Sequence, residues 1–225
     1  MMRRAWLAAL ALLLMITGGI PPSLARAEET PGRSAGIERC AASVVRLEVY
    51  DAGGDKIGTG SGFAAFDPAV LVTARHVIAN MGYMIATRDD GTTFRIDRAI
   101  DADDAADIAL CALPEDANLM PLTVAAGEPL RGDGVVALGS QFGLVNLVTL
   151  GNVCGRWQAE DVDWILFTAP VSAGCSGGPL LNDNNEVIGM IMGTYEKGQN
   201  LNLAAPIEAV AALYDSDTDQ GGNER

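Results

Sequence analysis

The chain of 225 residues holds a single histidine, His76, and only 5% aromatic side chains. One imidazole cannot build a multi-histidine metal centre, and the four cysteines (Cys40, Cys111, Cys154, Cys175) contain no C-x-x-C pair, so no zinc site is expected. No other cofactor is called for either. Cations are scarce: 15 Lys and Arg face 29 Asp and Glu, a formal net charge of −14. A field of that sign repels phosphate backbones and anionic bilayers, which argues against nucleic-acid partners and favours solubility outside the cell. The sequence also lacks an internal repeat and a long apolar run. Its one candidate, residues 5–20, is broken by Thr17-Gly18-Gly19 and falls short of the ~20 residues a helical span needs.

That run follows Arg3 and Arg4 and is closed by Pro21-Pro22 and Ala25-Arg26-Ala27, the layout of a secretory signal peptide cleaved after Ala27. No cysteine precedes Cys40, so no lipid anchor is expected at this junction and no membrane anchor after cleavage. The expected location is periplasmic or secreted. An even number of cysteines in an oxidising compartment predicts two disulfides, with three connectivities open.

What is present is short and regular. Val45, Leu47 and Val49 alternate with Arg46, Glu48 and Tyr50, the pattern of a half-buried strand. Turn clusters at residues 51–55, 89–91, 132–134 and 182–185 separate apolar runs at 83–86, 135–138 and 187–192, which predicts an all-β sandwich or barrels. With 49% apolar residues the core can be sizeable. Residues 113–130 carry three prolines and no clear period, and read as a join between two halves. A helix is expected over 206–213, with Pro206 in its first turn. A linker at 28–38 and an acidic, disordered tail at 214–225 bracket a domain at 39–213.

Three places carry candidate chemistry. His76 ends the apolar strand of "VLVTARHVIAN". Of Asp101, Asp103, Asp104 and Asp107 in "DADDAADIALCAL", only Asp107 abuts Ile108-Ala109-Leu110, where a carboxylate drawn inward needs a donor such as an imidazole N–H. Ser176 lies in Gly174-Cys175-Ser176-Gly177-Gly178-Pro179, where glycines allow a tight turn that aims consecutive N–H groups at one point, as an oxyanion hole requires. Singly these read as a structural histidine, a solvated aspartate and a plain turn. Cys175 and Ser176 are both nucleophile types.

In this order, the pieces resemble the chymotrypsin-like serine peptidases, and within them the bacterial HtrA-like group. The resemblance runs over residues 44–207. It rests on "GTGSGFAAFDPAVLVTARHV", "DIAL", "GDGVVALGSQFGL", "GCSGGPL" and "NLNLAAPI". It implies two six-stranded antiparallel β-barrels, at about 41–125 and 132–207, with the site in the cleft between them and a short C-terminal helix. It makes His76 the general base, Asp107 its orienting partner and Ser176 the nucleophile of an endopeptidase acting on proteins or peptides. The oxyanion hole falls at Gly174, Cys175 and Ser176, with the amides of Gly174 and Ser176 as donors. The Gly-Gly that follows Ser176 places the nucleophile there rather than at Cys175. Within-barrel pairing under this fold implies disulfides Cys40–Cys111 and Cys154–Cys175.

Departures matter as well. Cys175 stands where digestive relatives carry Asp and HtrA-like proteins usually Asn, so activation by an inserted N-terminus is not expected. Pro170 replaces the acid of trypsin-like pockets, which implies a preference for small or medium apolar residues on the acyl side. Too few residues follow Pro206 for an appended PDZ domain. The rival expectations are a catalytically weak or inactive binding or chaperone module with the same fold, and an esterase; a G-x-S-x-G elbow in the order Ser, Asp, His would favour the latter, and that order is missing here.

Overall fold

In the computed structural model, residues 33–159, 161–195 and 198–221 are described; the expected signal peptide at 1–27 lies outside them. A helix, α1 (Arg33–Ala41), leads into seven strands: β1 (Val44–Tyr50), β2 (Lys56–Ala64), β3 (Val70–Ala74), β4 (Tyr83–Thr87), β5 (Thr93–Ile96), β6 (Ala99–Asp103) and β7 (Ile108–Ala112). The alternation read at 45–50 is β1, with Val45, Leu47 and Val49 fully buried. Its antiparallel partner β2 runs in register from Val44↔Phe63 to Tyr50↔Lys56. Six more strands follow: β8 (Gly134–Gly139), β9 (Leu147–Ala159), β10 (Val162–Phe167), β11 (Pro179–Leu181), β12 (Val187–Thr194) and β13 (Asn202–Pro206). The closing helix is α2 (Ile207–Gly221).

The second six strands form the expected closed barrel, in the order β10-β13-β12-β11-β8-β9. The first set is a seven-stranded sheet, β5-β4-β1-β2-β3-β7-β6, curved as a half-barrel rather than a closed six-stranded one. Its edges explain the difference. β5 and β6 are separated by only Asp97 and Arg98, yet each pairs with a different neighbour, β4 and β7. β6 carries Asp101 and Asp103 and a register shift between Ala99 and Asp101, and a charged, bulged edge resists further pairing.

Between the halves, residues 113–133 hold a short 3-10 turn, Glu115–Ala117, and are stitched to both sides by the bridges Ala65↔Leu122 and Val124↔Val187. One core fills the first half and continues past Leu138, Met190 and Ala205 to Val210 of α2; a second, around Phe167, Ile165 and Leu180, fills the barrel. Each such large side chain buried from water contributes roughly 1.5–3 kcal/mol. Two helical features differ from the sequence reading. Helix α1 occupies part of the expected linker, and α2 runs past residue 213 into the expected tail.

The disulfide expectation is corrected. All four cysteines are free thiols, and none stands at bonding distance from another. Cys175 packs beside Gly139, at the end of β8 that pairs with Leu147. Cys154 lies seven residues further along β9, ~23 Å of extended chain, whereas a disulfide requires Cα atoms within ~7 Å. Cys111 lies in β7, three strands from β1, while the Cys40 sulfur turns to the Asn185 carbonyl at 3.5 Å. Burial pushes the Cys111 thiol up to about 12 and raises those of Cys40, Cys154 and Cys175 as well. Alkylation of the native protein at pH 8 should therefore modify half-buried Cys154 first and leave Cys111 untouched, with four thiols counted after denaturation. A disulfide-linked peptide in a non-reducing map would contradict the fold.

Candidate active site

The meeting of His76 and Asp107 follows from strand register. β3 and β7 pair antiparallel from Val70↔Ala112 to Ala74↔Ile108. One step beyond the ladder, the Arg75 amide donates to the Asp107 carbonyl at 2.8 Å, so the next side chain along, His76, emerges beside the Asp107 carboxylate. Asp107 turns there with φ 51°, a left-handed conformation that aspartate tolerates better than most residues. Its two oxygens serve one residue: Oδ1 accepts the His76 amide at 2.7 Å and Oδ2 lies 2.5 Å from Nδ1. An ionised carboxylate only accepts, so in the neutral imidazole the ring proton sits on Nδ1 and Nε2 keeps a lone pair. The carboxylate side chain is 23% exposed and the imidazole 50%.

The Ser176 turn is built from backbone. Gly174 has φ 99° and Gly177 φ 86°, which L side chains rarely adopt. A Cβ on Gly174 would stand 2.1 Å from the Ser140 carbonyl oxygen, and one on Gly177 2.2 Å from the Ser61 carbonyl oxygen. Each carbonyl of residues 173–176 is held. Phe142 N–H donates to Ala173 at 3.0 Å, Ser61 Oγ to Gly174 at 2.7 Å, Gly178 N–H to Cys175 at 2.9 Å and Ser61 N–H to Ser176 at 2.8 Å. The Cys175 amide donates to the Ser172 carbonyl at 3.0 Å. Among the described residues the amides of Gly174 and Ser176 meet no acceptor, so of the three positions expected to frame an oxyanion, two offer free N–H groups and Cys175 does not.

The Ser176 hydroxyl donates to the Met192 carbonyl at 2.8 Å rather than to His76. Met192 lies in β12 beyond the point where β11 stops covering it: β11 pairs with β12 from Val187 to Met190, whereas β13 follows β12 out to Thr194. Among the described residues no strand pairs with residues 192–194 on the Ser176 side. Across the site, a cavity of about 620 Å³ is lined by His76, Val77, Ala79 and Asn80 together with Asp51, Ile57, Gly58 and Thr59. Pro170 lies on the surface, its carbonyl taking the Thr149 hydroxyl at 2.7 Å. Neither group carries a charge.

The trypsin-like peptidase domain family matches residues 60–190, more than half of the sequence. The chain belongs to that family. It resembles its HtrA-like members. It is 32% identical over 188 residues to the serine protease HTRA1 of Xenopus tropicalis, covering 77% of this chain and 40% of that protein. It is 33% identical over 188 residues to HTRA1A of Danio rerio, covering 77% and 39%. The chain thus spans about two fifths of the length of these curated relatives. Among solved structures, the HtrA-type protease AlgW with tripeptide aligns with a TM-score of 0.75 at 23% identity, over 85% of this chain and 65% of that one. The serine endoprotease from Yersinia pestis gives 0.74 at 22%, over 84% and 68%. At those identities the likeness is one of fold.

In this trypsin-like domain, sequence reading missed the holding groups: Ser61, the Phe142 amide and the Met192 carbonyl. Two of these are backbone atoms and leave no residue signature. Ser61 stands openly in "GTGSGF", but nothing in that string says where its hydroxyl points. Two measurements check the geometry. The Nδ1 proton of the only histidine should appear far downfield in the proton NMR spectrum and vanish in Asp107→Asn. Gly174→Ala should melt well below wild type, since its methyl group and the Ser140 carbonyl cannot share one place.

Proposed function

We propose that the chain is an exported serine endopeptidase that cleaves proteins or peptides through an acyl-enzyme, with Ser176 as nucleophile, His76 as general base and Asp107 as the carboxylate that orients it. The observation that carries this reading is the double hydrogen bond from His76 to Asp107, which leaves Nε2 as the free basic atom of the only imidazole. In the reaction, Ser176 Oγ turns from Met192 to Nε2 and passes it the proton as the C–O bond forms. The tetrahedral oxyanion sits against the free amides of Gly174 and Ser176, donors already in place before charge develops. His76 then protonates the leaving amine, and water repeats the sequence in reverse to free the acid.

Placement of the substrate follows from the edges. An extended peptide can add as a strand to the open edge of β12 at residues 192–194, which suits a main-chain substrate better than a small ester. A peptide N–H that takes the Met192 carbonyl displaces the Ser176 hydroxyl toward His76. The leaving side then falls in the cavity beside His76. Pro170, standing where trypsin-like pockets carry an acid, supplies no charge, which favours Val, Ala or Leu on the acyl side because a buried Lys or Arg would lack that partner. Export rests on the leader at residues 1–27; none of the described helices is long and apolar enough to cross a membrane.

A second reading, a binding or chaperone module without turnover, draws on one observation: the Ser176 hydroxyl rests on Met192 and not on His76. Activity separates the two. A fluorophosphonate should label Ser176 of the mature protein. Ser176→Ala should lower kcat on the order of 10⁶-fold and Asp107→Asn ~10⁴-fold, the losses found when such groups act as a unit. His76→Ala should abolish activity. Labelling at Cys175, or full activity in Ser176→Ala, would overturn the assignment. A cleavage map of a peptide mixture should show Val, Ala and Leu before the cut; dominance of Arg and Lys would refute that preference. N-terminal sequencing of the exported protein should begin at Glu28.

A further inference from the structure

Ser61 has no task in the chemistry above, yet it is fully buried and touches the Ser176 turn at two points. Its hydroxyl donates to the Gly174 carbonyl at 2.7 Å and accepts the Ser140 amide at 2.8 Å. Its own amide donates to the Ser176 carbonyl at 2.8 Å, and its carbonyl is held by the Thr73 hydroxyl at 2.7 Å. Ser61 belongs to β2 in the first sheet, whereas Ser140 and Gly174 belong to the second half. Ser61 therefore joins the two halves at the carbonyls of the same two residues whose amides are free.

Resting on the peptidase reading, we propose that Ser61 is a positioning residue for the oxyanion hole: its hydroxyl and amide hold the Gly174 and Ser176 carbonyls so that the amides of those two residues point at one place. Gly174 lacks a Cβ, so local sterics restrain its backbone little, and the Ser61 hydroxyl is the hydrogen-bond donor to its carbonyl among the described residues. Without that donor the 174–175 peptide can rotate, and Gly174, the hinge between it and the 173–174 peptide that bears the Gly174 amide, loses its restraint on the carbonyl side. A hydroxyl offers one proton and two lone pairs; here the proton serves the loop before β11 and one lone pair the loop after β8. Alanine supplies neither. Because the amides act on an oxyanion that exists only in the transition state, the loss should fall on kcat and not on substrate binding.

The test compares wild type, Ser61→Ala and Thr73→Val as mature full-length proteins, with kcat expressed per folded molecule from thermal melts. Thr73→Val removes the hydrogen bond to the Ser61 carbonyl and leaves the Ser61 hydroxyl intact, so it controls for destabilisation. Ser61→Ala should lower kcat roughly 10- to 100-fold with KM changed less than about threefold, less than the ~10²–10³ for deleting an oxyanion donor outright. Binding of a peptide boronate, which mimics the tetrahedral state, should weaken by a similar factor. Thr73→Val should melt earlier at nearly wild-type kcat. Should Ser61→Ala fail to fold, Ser61→Cys keeps a γ atom with a weaker donor and should shift kcat in the same direction. A folded Ser61 variant with wild-type kcat and boronate affinity overturns the positioning role. A wild type that neither cleaves nor labels at Ser176 overturns the peptidase reading, and the role of Ser61 falls with it.

Discussion

The carbonyls of residues 173–176 must all face away from the place where a reacting oxygen would sit, and each is turned away by a donor of its own. Phe142 comes from the loop after β8, Ser61 from β2, and Gly178 from the turn itself. The site therefore depends on the contact between the two halves of the fold: separate them and two of the four carbonyls lose their donor to Ser61 at once. A buried carbonyl without a donor costs roughly 1–3 kcal/mol, so the bonds that shape the turn also bind the halves together. Stability and site geometry rest here on the same hydrogen bonds.

The other half of the site is fixed by strand register in the same unforgiving way. Slipping β7 by one residue against β3 would turn Ile108 and Leu110 from one face of the sheet to the other and move Asp107 past His76. The buried sides of Leu71, Ile108 and Leu110 therefore select the histidine–aspartate contact, although none of them takes part in it. Core packing in the first sheet acts as the alignment device for two polar residues at its end.

Much of this was legible in the residues. The β1 alternation, the turn clusters and the glycines around Ser176 each state a local physical requirement, and those requirements survive folding. The contact between His76 and Asp107 was inferable from an aspartate set against an apolar strand, which must find a donor. Other features depend on distances that sequence does not encode. An even cysteine count suggested two disulfides, but whether Cys154 reaches Cys175 depends on how far β9 runs past the β8 edge. Closure of the first sheet depended on which neighbours β5 and β6 chose. The hydroxyl of Ser61 and the carbonyl of Met192 acquire their places only when separate strands meet.

The two halves of the site also differ in how much is already settled before a substrate arrives. Holding Asp107 in a left-handed conformation costs on the order of 1–3 kcal/mol. Two hydrogen bonds to its carboxylate, at about 1.5–3 kcal/mol each for a charged acceptor, offset that cost. The imidazole is therefore oriented in the resting protein, and the free amides are framed by carbonyls that are already bonded. What the proposed chemistry still has to move is the Ser176 hydroxyl, which must exchange its bond to the Met192 carbonyl for one to His76. On the proposed reading, the backbone carries the preorganisation and the nucleophile alone responds to an incoming peptide strand. On that reading, the group that must move first is the smallest one in the site.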